Sequence, residues 1–230
     1  MVEASVGRAY YLARRLAILA QYETHAAAWR PFLDARYGAE VASAILADCR
    51  SQYEALLPEI PYIGGDANRL TRDLVRSTTS LVLYEVMRPR GATAADVGKI
   101  VYDAVLAAVG RLPPAPSLEL TEAFVTGWKT HARRSHERRY PGDWVYDYVE
   151  GDGVTFDYGL DFLECGTQKL YRARGVEAFL PFYCYLDFVT HRTPGWGFAR
   201  SGTLAEGCPR CDFRWKKGGH TERGWPPPFL

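Results

Sequence analysis

The sequence has no excess of either charge. Twenty-eight Lys and Arg face 27 Asp and Glu, a net charge of +1 over 230 residues. Nucleic-acid-binding domains carry a clear basic surplus, so no nucleic-acid partner is expected. A long apolar run is also missing. The best stretch, residues 178–189, is interrupted by Asp187 and falls well short of the ~20 residues that cross a bilayer, so no membrane partner is expected. Arg8, Arg14 and Arg15 break up the apolar core that a secretory leader needs. Cysteine is sparse and odd in number: Cys49, Cys165, Cys184, Cys208 and Cys211. Together these absences argue against a disulfide framework and for a cytoplasmic protein with reduced thiols. No segment repeats. Gly64-Gly65 lacks the Lys-Ser/Thr of a phosphate-binding loop and follows no strand pattern, which argues against a nucleotide site.

What is present suits a globular enzyme-sized domain: 47% hydrophobic and 24% charged residues. The first half reads as helical. Leu12, Leu16, Leu19 and Ala20 recur at helical spacing over residues 10–28, and Pro31 is expected to end that helix. A second helix is expected through Val41, Ile45 and Leu46, stopped by Pro58. Residues 58–68 form a loop in which Asp66 or Asn68 caps the next helix, over 70–87. Thr93 starts another, and Pro113, Pro114 and Pro116 form a linker. A further helix over 118–139 carries the basic run His131 to Arg139, read as a solvated face, with an anion site for a carboxylate as the alternative.

Character changes near Tyr140-Pro141-Gly142-Asp143. Residues 144–150 alternate like a half-buried strand, and Gly151-Asp152-Gly153 turns into a return strand over 154–158. A helix over 161–174 is expected to carry Cys165 and Lys169, with another over 177–190. Residues 196–204 and 211–217 read as a last hairpin. The expected fold is α+β, a helical N-terminal half packed on a C-terminal antiparallel sheet with helices. The expected division is a helical region over 1–112, an α+β region over 117–217 and a loose tail over 218–230, or a single domain over 1–217.

The densest chemistry lies late in the chain. Cys184 and Asp187 are three apart, so a helix would put them on one face. A thiol beside a carboxylate suggests a nucleophile with an acid/base partner. The carboxylate alone would raise the thiol pKa, so a cation such as Arg200, His191 or Lys169 would be needed. Cys208-Pro209-Arg210-Cys211 is a lone CxxC. Zinc is the alternative there, held by Cys165, Cys184, Cys208 and Cys211; otherwise no cofactor is expected. Cys211 and Asp212 should face opposite sides of a strand, leaving Asp212 to pair with Arg214 or Lys216. Glu206 before Gly207 reads as a turn residue or a site residue.

Taken in order, several short pieces resemble the L-2-amino-thiazoline-4-carboxylic acid hydrolase family. They are Arg36-Tyr37-Gly38, Leu57-Pro58-Glu59-Ile60-Pro61-Tyr62-Ile63-Gly64-Gly65 with Asn68 and Leu70, Leu83-Tyr84, Tyr140-Pro141, Phe156-Asp157-Tyr158-Gly159, Glu164-Cys165 with Lys169, Pro181 with Cys184 and Asp187, and Arg200 with Thr203-Leu204-Ala205-Glu206-Gly207 and Cys211-Asp212-Phe213-Arg214. The resemblance implies a hydrolase that opens a C–N bond of a cyclic amidine in a small carboxylated ring and yields an N-carbamoyl amino acid. It implies catalytic roles for Cys184, Asp187 and Cys211, and substrate contacts from Arg200, Glu206, Asn68, Gly65 and Tyr62. Cys184→Ala is then expected to abolish turnover. The C-terminal half is also similar to small-molecule-binding domains of the 4-vinyl reductase type. A ligand-binding, sensor-like module, with or without zinc, is the runner-up. A non-hydrolytic enzyme of secondary metabolism on the same scaffold is the third reading.

Overall fold

A computed structural model describes residues 2–111, 118–191, 195–222 and 224–230. The expected linker prolines Pro113, Pro114 and Pro116 lie outside the described residues. The N-terminal half comprises α1 (Val2–Ala13), α2 (Arg15–Tyr37), α3 (Ala39–Leu56), α4 (Thr71–Met87) and α5 (Ala94–Arg111). Two expectations about the first helices fail. The helix breaks at Arg14, and α2 runs through Pro31 instead of stopping there. The buried stripe is Ile18, Leu19, Tyr22, Ala26, Trp29 and Leu33, while Leu12 and Leu16 are exposed. An internal proline costs about 3 kcal/mol in a helix; burying Trp29 and Leu33 on either side of it offsets that loss. Tyr22 stacks on Tyr53 of α3 at 4.7 Å between ring centroids, fixing the α2/α3 pair.

Helix α4 runs through the core and is buried on most sides. Its hydroxyls do not go unsatisfied: Ser77, Thr78 and Thr79 donate to the carbonyls of Leu74, Val75 and Arg76. No side chain caps its start. Asn68 instead clamps the preceding loop. Its amide donates to the Ile63 carbonyl and the Asp143 carboxylate, and its oxygen accepts from the Leu70 amide. Gly64 and Gly65 are left-handed, with φ of 108° and 58°. A Cβ at Gly64 would meet the Tyr140 ring at 3.1 Å, and one at Gly65 the Tyr10 ring at 2.7 Å. The glycine pair therefore lets this loop pack closely against two aromatic rings.

The C-terminal half opens with α6 (Glu122–Ser135), capped by Thr121, whose side chain accepts from the Phe124 amide. Strands β1 (Val145–Glu150), β2 (Tyr158–Glu164), β3 (Trp196–Ala199) and β4 (Cys211–Lys217) form one antiparallel sheet in the order β1-β2-β4-β3. The return strand begins at Tyr158, not at 154. Asp152 accepts from the amides of Val154, Thr155 and Phe156 and ties that stretch into a loop. The helix expected over 161–174 starts late, as α7 (Gly166–Ala173). Leu160 and Phe162 alternate with the partly exposed Asp161 and Leu163, a period-two pattern that belongs to β2. The helix expected over 177–190 divides into α8 (Leu180–Tyr185) and α9 (Asp187–Thr190).

The result is the expected α+β arrangement, with helices concentrated in the N-terminal half and the sheet in the C-terminal half. Buried residues of both halves join one hydrophobic cluster. Parts of the tail touch the rest of the chain. Trp225 lies against Tyr102 and Phe182, Phe229 against Phe182, and Tyr185 donates to the Gly224 carbonyl.

Candidate active site

The sheet register builds one wall of a cavity. Tyr158, Leu160 and Phe162 of β2 stand opposite Trp215, Phe213 and Cys211 of β4, and in a strand alternate residues share a face. All six line a cavity of about 330 Å³. Phe124 and Trp128 of α6 and Trp144 extend this aromatic wall; Asp73 and Arg76 of α4, with α8 and α9, supply the polar side.

Cys165, Cys184 and Cys211 all line this cavity, from three different elements. Cys208 does not: it packs against Gly202, where an added Cβ would lie 2.4 Å from its sulfur. Cys49 is buried in the helical half. All five thiols are free. The four-cysteine set considered for zinc is thus divided, three on the cavity and one off it. Among the described residues no group of three or more His, Cys, Asp or Glu is arranged to hold a metal. Burial pushes the Cys165 thiol up, Cys184 well above its ordinary value and Cys211 up to about 12. Arg200 opposes this at Cys184 without reversing it. The three thiols are therefore protonated near neutral pH, which disfavours a resting thiolate.

The charged centre is Asp187. Its Oδ2 accepts from Arg200 Nη1 at 2.5 Å, and its Oδ1 lies 3.7 Å from His191 Nε2. The Arg200 side chain is only 4% exposed; burial works against its charge, but Asp187 together with Cys184, Cys211 and Glu206 outweighs that and raises its pKa. Its second nitrogen donates to the Cys184 carbonyl. Arg200 is thus committed to Asp187 and to α8. The ring of His191 packs between Phe198, Phe213 and Trp215. Burial pulls its pKa below the ordinary 6.5, with Asp187 opposing, so the imidazole is neutral at pH 7.

A second pair faces this one. Arg76 donates to Asp73 at 2.7 Å, and burial raises the Asp73 carboxyl despite Arg76. His191 feels the charges of Asp187, Arg76, Asp73 and Arg200 together, so it sits between two Asp–Arg pairs. Arg69, at the mouth of α4, lies 3.5 Å over the Trp128 ring and has no carboxylate partner among the described residues. Burial lowers its pKa. The Trp128 indole nitrogen beside it is buried without a hydrogen-bond partner among the described residues.

The remaining expected site residues lie elsewhere. Tyr62, Gly65 and Asn68 belong to the 58–68 loop, away from this cavity: Tyr62 packs edge-on against Tyr10 and Tyr140, and Gly65 accepts from Thr71. Glu206 accepts from Thr203 Oγ1, which in turn caps a short turn by accepting from the Glu206 amide. Lys169 pairs with Glu164. Asp212 lies off the cavity wall as the strand alternation requires, but its partners are Ser201 and Gly202 rather than Arg214 or Lys216; it shapes the turn just after Arg200. Sequence reasoning passed over Arg69, Asp73 and Arg76. The signal for the last two was there, since charges at i and i+3 in a mostly apolar helix mark one polar strip. Nothing local joins Arg69 to Trp128.

No curated protein and no solved structure matches the chain, and the likeness of the C-terminal half to 4-vinyl reductase domains is not confirmed. The family model for L-2-amino-thiazoline-4-carboxylic acid hydrolases matches residues 76–215. That segment contains the cavity wall of the sheet, the three cavity thiols and the Asp187–Arg200 pair. Spanning more than half of the chain, the match shows that the protein belongs to the L-2-amino-thiazoline-4-carboxylic acid hydrolase family.

Proposed function

We propose that the cavity hydrolyses a small carboxylated aminothiazoline, with water rather than a thiolate as the attacking group. The observation that carries this reading is the neutral His191 beside Asp187, itself pinned by a nearly inaccessible Arg200, in a cavity that also holds Arg69, which has no carboxylate partner among the described residues. A volume of about 330 Å³ suits a small ring, near the lower end of the ~300–1,000 Å³ typical of ligand sites.

The substrate carries a carboxylate and a ring amidine. Arg69 takes the carboxylate with its guanidinium fork, held flat by Trp128. The Asp73 carboxylate takes the amidine N–H groups. His191 removes a proton from water as the oxygen bonds to the amidine carbon, and Asp187 stabilises the imidazolium that forms. The π electrons of the C=N bond move to the ring nitrogen, which takes the proton back from the His191 imidazolium. The tetrahedral carbon then reforms a C=O bond and expels one ring atom, which takes up the proton that the hydroxyl loses.

Which atom leaves fixes the product. An N-carbamoyl amino acid keeps the ring nitrogen on the carbonyl carbon, so the bond broken is C–S and a thiol is released. Breaking the C–N bond would give the S-carbamoyl isomer with a free amine and no thiol. An opened C–N bond and an N-carbamoyl product, both expected from the resemblance, are therefore incompatible. We propose C–S cleavage, because a thiolate is the better leaving group. The three buried thiols serve as an apolar wall.

The test is to incubate the protein with L-2-amino-thiazoline-4-carboxylate and measure both free thiol and product mass. Equal amounts of new thiol and N-carbamoyl-L-cysteine are expected. Amine without thiol would overturn the choice of bond, and an unchanged substrate at high enzyme concentration would overturn the substrate. Arg69→Gln is expected to raise KM by about 10- to 100-fold with little change in kcat, the loss of one charge-assisted contact. The same variant should act on 2-amino-2-thiazoline, which lacks the carboxylate, as well as the unsubstituted protein does.

A further inference from the structure

A second cavity, of about 230 Å³, opens where the 58–68 loop meets the end of α6. Leu70 lies in the wall of both cavities. Nothing in the hydrolytic scheme uses the second one.

Its wall carries charges of both signs. Arg134 and Arg139 supply cations, and Glu137 and Asp143 supply carboxylates. Arg134, Arg139 and Glu137 have no ion-pair partner among the described residues. The residue between them, Arg138, takes a left-handed φ of 49° and turns its side chain to Glu164. The chain reverses there, and Arg139 reaches the same cavity as Arg134, over the Tyr140 ring. Asp143 is aligned by the Trp144 and Asn68 amides. His131 adds no further charge, since burial and the neighbouring Arg69 and Arg134 hold its pKa down. Tyr146 is 2% exposed. It forms part of this wall, and its hydroxyl is buried without a hydrogen-bond partner among the described residues, which is uncommon for such a group.

A simple anion in this cavity would face two carboxylates, and a simple cation would face two guanidiniums. A molecule with both charges satisfies all four groups. We infer that the second cavity binds a small zwitterionic α-amino acid, its carboxylate on Arg134 and Arg139, its ammonium toward Glu137 and Asp143, and the Tyr146 hydroxyl completing the contacts. Through Leu70 and the Asn68 clamp, the occupant lies directly behind the segment that presents Arg69 to the first cavity.

The test is calorimetric titration of the full chain with L-serine as the probe, with N-acetylglycine and ethylamine as single-charge controls at matched ionic strength. L-serine is expected to saturate one site per chain, and each control to bind at least about tenfold more weakly, as when a polar partner is lost. The double variant Arg134→Gln/Arg139→Gln changes only exposed side chains and should weaken L-serine at least about tenfold. Tyr146→Phe keeps the ring and should weaken it several-fold. Asp187→Asn, in the first cavity, should leave it unchanged. Absence of saturable L-serine binding overturns the inference. So does a control that binds as tightly, binding indifferent to both the arginine and tyrosine substitutions, or binding lost in Asp187→Asn but kept in the arginine variant.

Discussion

Asp187→Asn is expected to lower kcat/KM on the aminothiazoline acid by about 10²–10⁴-fold, the usual effect of disabling general acid–base catalysis. The substitution keeps shape and removes charge. Arg200 loses the carboxylate it is bonded to, and the imidazolium that forms as water is deprotonated loses its stabilising neighbour. A second signature follows from the direction of the His191 shift. Burial already lowers its pKa, and Asp187 is the largest influence opposing that. Without Asp187 the pKa falls further. The reactive form is neutral imidazole, which predominates above its pKa. The acid limb of the kcat/KM profile should therefore lie below pH 6.5 in the unsubstituted protein and move to still lower pH in Asp187→Asn. NMR titration of His191 measures the same displacement without turnover. A His191 pKa that rises in the variant would contradict the assignment.

Trp29→Ala should cost about 3–5 kcal/mol of stability, the range for removing a large buried aromatic side chain. Trp29 is 1% exposed and packs edge-on to Tyr22. It also lies two residues before Pro31, where α2 already lacks a backbone hydrogen bond. Removing the ring withdraws the burial that holds the helix together across that gap. Denaturant unfolding followed by fluorescence and by circular dichroism measures the loss. A cost under about 1 kcal/mol would mean that α2 is held by other contacts.

The same helix shows why part of the fold was legible and part was not. Proline is a reliable local stop signal, and at Pro58 it acted as one, ending α3 and entering a short turn. At Pro31 tertiary burial of Trp29 and Leu33 overrode it, and no local rule reports that. The strand-to-helix boundary near Glu164 failed differently. Residues 161–174 contain enough helix formers to read as one helix, while Tyr158, Leu160 and Phe162 carry the period-two pattern that pairs with Trp215, Phe213 and Cys211. That pairing spans some fifty positions and is visible only once β4 is in place. In the site, the Cys184–Asp187 spacing and the position of Arg200 were legible because they depend on neighbouring residues. Arg200 was legible as a cation beside that pair, and its guanidinium does donate to Asp187. Arg69 on Trp128 is a contact between distant segments and leaves no trace in spacing. The raised thiols were equally invisible, because the decisive influence is burial by the whole aromatic wall.

The choice between an activated water and an attacking thiolate turns on two side chains three residues apart. The most direct measurement is the initial rate of thiol release from L-2-amino-thiazoline-4-carboxylate by the unsubstituted protein, Cys184→Ala and Asp187→Asn, each confirmed as folded by circular dichroism. With water as the attacking group, Cys184→Ala keeps a rate within about tenfold of the unsubstituted protein and Asp187→Asn loses at least about 10²-fold. Abolished turnover in Cys184→Ala with substantial turnover in Asp187→Asn would contradict it.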